Sequence, residues 1–170
     1  MVERETGRKL KCFRSDNGSE YTSREFETYC TKNGIRHEKT VPSTPQHNGV
    51  AEMMNHTIIE KVRCMLKTIK LPEVFWGETA QTTCYLINRS PSGPLNFEVP
   101  EKVWTGKDVF YSHLRVFGCK TFVHIPKEQR SKLDGKTIPH VFVGYDDKEF
   151  GFRLKDPTKM KLVRSKDVIF

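Results

Sequence analysis

The chain has 170 residues and a formal net charge of +8, and its 36% hydrophobic and 11% aromatic content is enough for one domain or two small ones, which excludes disorder throughout. Five scattered cysteines, Cys12, Cys30, Cys64, Cys84 and Cys119, form no Cys-x-x-Cys pair, which excludes a disulfide frame and a zinc ribbon. No 18-residue apolar run and no signal-peptide pattern occurs, so the expectation is a soluble, intracellular protein without a membrane partner.

Residues 9–14 carry alternate apolar positions at Leu10 and Cys12 followed by Phe13, which predicts a strand that delivers Asp16 at its end. Thr22 or Ser23 can cap a helix with Phe26, Tyr29 and Cys30 on one face, closed by Asn33-Gly34. Residues 35–41 read as a second short strand, and Pro42 to Gly49 as a loop. From Val50 to Ile69 a helical stripe runs through Val50, Met54, Ile58, Val62, Met65, Leu66 and Ile69, with Glu52, His56, Ile59 and Arg63 opposite. Residues 73–88 predict another helix, with Trp76, Ala80, Thr83, Cys84 and Ile87 inward, and Trp76, Tyr85 and Trp104 are expected in the core.

A connector rich in proline and glycine, Pro91 to Pro100, marks the expected domain boundary. The expected division is 1–90, a connector 91–112, and a β module 113–170. Four runs of β character follow: 114–125, 140–145, 151–155 and 162–170. Charge is uneven, since residues 107–170 hold 14 Lys and Arg against 8 Asp and Glu, while residues 1–106 hold 15 against 13. A basic C-terminal module makes an anionic partner the physical expectation. Lys120, Lys127, Arg130, Lys132 and Lys136 are its candidate nucleic-acid contacts, although a run of this kind also suits a solvated face.

Asp16 lies in Phe13-Arg14-Ser15-Asp16-Asn17-Gly18 and Glu52 in Thr44-Pro45-Gln46-His47-Asn48-Gly49-Val50-Ala51-Glu52, with 35 residues between them. Read alone, Asp16 suits a turn and Glu52 suits a helix start. Together, with Trp76-Gly77-Glu78, Tyr85 to Pro91 and Leu114 to Cys119, the chain resembles the second half of the Asp-Asp-35-Glu integrase core of copia-type LTR retrotransposons across nearly its whole length. The resemblance implies an α+β chain: a truncated ribonuclease-H-like α/β core lacking its first three strands, then a small all-β SH3-like module. Residues 1–7 correspond to the tail of that core's first helix.

The implied ancestral function is DNA integration, by 3′-end processing and strand transfer. Such chemistry uses hard divalent cations roughly 3.5 to 4 Å apart, held by carboxylates. By resemblance, Asp16 and Glu52 are catalytic and ligate Mg²⁺ or Mn²⁺, while Asn48 and Gly49 position a DNA end. The family's first aspartate lies upstream of Met1, so the isolated chain is expected to be inactive, with apolar helix faces left without a floor. Met53, His56 and His47 replace residues typical of the family, two of them arginines. His56 and Arg63 join the candidate nucleic-acid contacts, and His56 also suits a plain surface position. Retrotransposon cDNA ends, target DNA and other integrase chains are the implied partners, with self-association among them, and nuclear location would follow from function. Two other readings stand beside this one: a noncatalytic nucleic-acid or protein interaction module, and a non-functional relic.

Overall fold

A computed structural model describes residues 2–41, 49–146 and 151–170. The chain divides into two compact units, Met1–His56 and Thr57–Phe170.

The first unit begins with a short helix, α1 (Val2–Thr6), and a strand, β1 (Cys12–Ser15). A four-residue helix, α2 (Ser19–Thr22), precedes α3 (Arg24–Lys32). Ser23 caps α3, its hydroxyl accepting from the Phe26 amide at 3.2 Å, which satisfies one of the free amides at a helix start. Gly34 follows with φ +66°, a conformation that costs glycine little, and returns the chain to β2 (Arg36–Lys39). β1 and β2 pair in parallel, with Cys12 opposite Arg36 and Ser15 opposite Lys39. Phe13, Tyr21, Phe26 and His37 cluster around this pair at centroid separations of 5.1 to 6.2 Å.

A 20-residue helix, α4 (Gly49–Thr68), contains the division between the units. The expected boundary at residues 91–112 differs from this division. The reason is burial: Val62 and Leu66 on the second half of α4 pack with Leu71, Phe75 and Val143, joining helix and sheet in one core. Only that half of the predicted stripe is covered, because Val50 and Met54 are exposed.

The second unit continues through α5 (Trp76–Asn88), which a 3-10 turn at Glu73–Phe75 introduces, and α6 (Pro100–Thr105), a helix within the expected connector that composition did not announce. α5 buries threonines, Thr79, Thr82 and Thr83, against its neighbours. Each hydroxyl has a partner: Thr79 donates to the Phe75 carbonyl, Thr82 to the Val143 carbonyl at 2.7 Å, and Thr83 to the Met65 sulfur. Trp76 and Trp104, expected inside, are 65% and 57% exposed, while Tyr85 is half-buried. The burial on α5 centres on the Thr79 to Thr83 turn and leaves the first residue of the helix to solvent.

The β module is a five-stranded antiparallel sheet of β3 (Lys120–His124), β4 (Thr137–Tyr145), β5 (Phe152–Lys155), β6 (Leu162–Ser165) and β7 (Val168–Ile169), in the order β6-β5-β4-β3-β7. The run read as one strand at 162–170 is two, with β6 on one edge and β7 on the other. Two residues, Lys166 and Asp167, carry the chain between opposite edges, which requires the sheet to curl toward closure. Residues 114–119 lie outside the strand, with a turn at Phe117-Gly118, where Gly118 has φ +84° and its position faces Ile69. β4 runs back to Thr137 through Pro139, which a strand tolerates where β3 is its one neighbour. Its register slips between Phe142 and Gly144, where a Cβ on Gly144 would lie 2.3 Å from the Thr82 hydroxyl.

Candidate functional site

Asp16 follows the last residue of β1 and is exposed. Its Oδ1 accepts the Gly18 amide at 3.0 Å, so the turn-forming role read from Asp-Asn-Gly is present. A carboxylate offers about four lone-pair sites, and one amide leaves others for a cation. The segment is tied twice to Thr40, the residue that follows β2: the Thr40 amide donates to the Ser15 carbonyl at 3.0 Å, and the Asn17 side chain donates to the Thr40 carbonyl at 3.0 Å.

Glu52 stands in the first turn of α4, exposed, where the helix dipole favours its charge. Asp16 and Glu52 fall in the same compact unit. Gly49 is the first residue of α4. Asn48 and His47 lie outside the described residues. His56 and Arg63 are both exposed on α4.

Glu38 is the other carboxylate on the two-stranded sheet, and it is engaged by Arg14 at 2.9 Å and Arg36 at 2.5 Å. The Arg14 hydrogen bond and then the Arg36 charge hold its carboxyl below the usual range. Glu27 on α3 is held low by Lys39, 2.7 Å away. Among the described residues no three His, Cys, Asp or Glu side chains gather as a metal-binding group. Two oxygen donors on a strand end and a helix start still suit a Mg²⁺-like ion, which takes one or two carboxylates and completes its shell with water and phosphate oxygens.

The basic candidates of the β module separate into two places. Lys127, Arg130 and Lys132 lie in the connection from β3 to β4, and Lys120 opens β3 at the opposite end, about 13 Å away at roughly 3.3 Å per residue. The Lys120 ammonium lies 5.1 Å from the Phe122 ring centroid. Sequence reasoning passed over Ser15 and His37, whose contact below β1 depends on a parallel register that spacing alone does not reveal.

Residues 119–170 match the retroviral polymerase SH3-like domain. The whole chain is 71% identical over 170 residues to the retrovirus-related Pol polyprotein from transposon TNT 1-94 of Nicotiana tabacum, covering 13% of that protein. It is 33% identical over 145 residues to the Pol polyprotein from transposon RE1 of Arabidopsis thaliana, covering 85% of this chain and 10% of that one. Thus the chain spans about an eighth or less of the length of these relatives. In fold it is similar to a chain of a simian T-cell lymphotropic virus intasome determined with the PP2A regulatory subunit B56 gamma, with a TM-score of 0.50, 17% identity, and coverage of 98% of this chain and 59% of that one. Among the described residues no helix is long and apolar enough to cross a membrane.

Proposed function

We propose that this chain, homologous over its whole length to a segment of retrotransposon Pol polyproteins, serves DNA integration as part of a copia-type integrase. In this reading Asp16 and Glu52 contribute two carboxylate ligands to a Mg²⁺ or Mn²⁺ site, and the β module holds DNA. The observation that carries it is the support given to the two acids: Asp16 at a strand end bonded to its neighbour at Ser15 and Asn17, and Glu52 in the first turn of a 20-residue helix of the same unit. A hard divalent ion held there supplies positive charge to phosphate oxygens during phosphodiester cutting or joining.

The chain's own residues would bind and orient. Lys127, Arg130 and Lys132, on one connection, supply phosphate contacts that carry no sequence information. Lys120 supplies a separate contact at the other end of β3. His56, Arg63 and Gly49 extend the contact set along α4, and Asn48, which lies outside the described residues, is a further candidate. Other integrase chains and a second copy are the proposed protein partners, and the nucleus is the proposed compartment.

The test is a salt series of duplex-DNA binding with and without Mn²⁺. The reading expects log affinity to fall linearly with log salt, by about 0.9 per phosphate contacted. It also expects Mn²⁺ to bind wild type and to be lost on Asp16→Asn. Salt-independent affinity sinks the DNA assignment, and unchanged Mn²⁺ binding in Asp16→Asn sinks the ligand assignment. A noncatalytic binding module is the second reading, favoured by the basic excess of residues 107–170, which needs no metal to hold DNA. It predicts the same salt slope without any effect of Mn²⁺.

A further inference from the structure

We infer that Ser15 and His37 are positioning residues for the Asp16 carboxylate. A relay of two hydrogen bonds, from the His37 imidazole to the Ser15 hydroxyl and from that hydroxyl to the Asp16 carbonyl, fixes the peptide that carries the acid. The inference rests on the proposed role of Asp16 as a metal ligand.

Ser15, the last residue of β1, is 5% exposed. Its Oγ donates to the Asp16 carbonyl at 2.9 Å and lies 2.8 Å from His37 Nε2. A serine hydroxyl has a single hydrogen. With that hydrogen committed to Asp16, Oγ can only accept from His37, so Nε2 is the nitrogen that carries the proton. The relay thus requires the Nε2–H tautomer of His37.

The imidazole is itself held in place. Its ring meets Phe26 edge-on at 5.1 Å and 82°, and lies tilted to Phe13 at 6.2 Å. Phe26 belongs to α3, whose start is fixed by the Ser23 cap. The relay therefore connects helix packing to the Asp16 peptide through two side chains. Thr40, the residue that follows β2, contributes at two points, since it also receives Asn17 and donates to the Ser15 carbonyl. A two-stranded sheet is marginal by itself, so side-chain bonds across it carry a larger share of the positioning. Ligand geometry has to hold within about 0.5 Å to be productive, and a loosened Asp16 peptide exceeds that.

The test uses the full chain labelled with nitrogen-15 and Mn²⁺ as the probe. Selective broadening of the Asp16, Asn17 and Gly18 amide signals is followed against Mn²⁺ concentration in wild type, Asp16→Asn, Ser15→Ala, Ser15→Thr and His37→Leu. The expected result is loss of the response in Asp16→Asn, a shift of its midpoint to at least fivefold higher Mn²⁺ in Ser15→Ala and His37→Leu, and recovery in Ser15→Thr, which keeps the hydroxyl. Imidazole nitrogen shifts of the wild-type chain should show hydrogen on Nε2. A response abolished in Asp16→Asn but unchanged in Ser15→Ala overturns the positioning role while leaving the ligand reading intact. A response unchanged in Asp16→Asn overturns the ligand reading, and this inference with it. If Ser15→Ala fails to fold, a wild-type His37 with hydrogen only on Nδ1 overturns the relay, and hydrogen on Nε2 with recovery in Ser15→Thr upholds it.

Discussion

Arg153 on β5 and Glu78 on α5 form an ion pair at 2.6 Å, with the arginine side chain 6% exposed and the glutamate 27% exposed. The same guanidinium contacts the Gln81 side-chain oxygen and reaches Thr82 Oγ1 at 3.4 Å. Three residues of one helix thus neutralise a charge contributed by the sheet and partner its two terminal nitrogens, while the buried Arg153 Nε has no hydrogen-bond partner.

Removing one partner of such a pair strands the other, so Glu78→Ala is expected to cost about 3 kcal/mol, at the low end for buried pairs because Glu78 is partly solvated. The double substitution Glu78→Ala with Arg153→Met should lose less than Glu78→Ala alone. Denaturant midpoints followed by circular dichroism check both. An equal loss in single and double variants removes the stranded-charge explanation.

Gly118→Ala should be far more damaging than Gly34→Ala. Both glycines have positive φ, +84° and +66°, which costs another residue roughly 1–2 kcal/mol. A Cβ on Gly118 would also lie 2.3 Å from the Ile69 side chain, whereas nothing stands within 4 Å at Gly34. Thermal unfolding of the two variants decides, and equal shifts in melting temperature would show that Ile69 yields freely.

His113 gives the chain a pH dependence of definite sign. Its Nε2 lies 2.6 Å from the Tyr85 hydroxyl, and burial, then Arg89 and Arg115, hold its pKa below the ordinary 6.5. As pH falls through 6.5 the unfolded chain takes up a proton that the folded chain refuses, so stability declines until the folded pKa is passed. Urea midpoints between pH 7.5 and about pH 5 should show that decline in wild type and a flatter profile in His113→Gln. The same slope in both would transfer the effect to another group.

Asp156 acts in the same sense but at lower pH. Its Oδ1 accepts from the Thr158 hydroxyl at 2.6 Å, the Thr158 amide at 2.8 Å and the Lys159 amide at 3.1 Å, which lowers its pKa from 3.8 to about 2. Its contribution is complete above 3.8 and is lost as pH falls toward about 2. Asp156→Asn should flatten that part of the acid limb, as amide exchange of Thr158 and Lys159 against pH would report.

The proposed DNA contacts predict a division of effects. Replacing Lys127, Arg130 and Lys132 together by alanine should reduce the salt slope by about 0.9 for every phosphate that is no longer neutralised, and Lys120→Ala should free at most one further phosphate. A triple variant with the wild-type slope would remove that connection from the interface.

The helices were the most legible part of the fold. Ser23 as a cap, Gly34 as a stop and the apolar spacing from Ile58 to Ile69 are local signals, and α3 and α4 form within a residue or two of where they predict. Strands were legible as short runs, but their ends were not. Gly118 withdraws 114–119 from β3, and the Lys166-Asp167 turn divides β6 from β7, because strand limits depend on partners distant in the chain. Trp76 and Trp104 failed as core residues for a related reason: an aromatic residue carries no information about whether a neighbour will cover it.

At the candidate site, the residue types and the 35-residue separation of Asp16 and Glu52 were set by the linear order of side chains, as were the basic excess of residues 107–170 and the resemblance to integrase relatives. The tertiary structure decided which groups meet: His37 beneath Ser15, Glu38 drawn to Arg14 and Arg36, Arg153 under α5, and Lys120 separated from Lys127, Arg130 and Lys132 by the length of a strand. Chemistry and local propensity are properties of single residues and near neighbours, so they can be read in order. Register, burial and pairing arise from contacts between segments far apart in sequence, and only the folded chain selects among them.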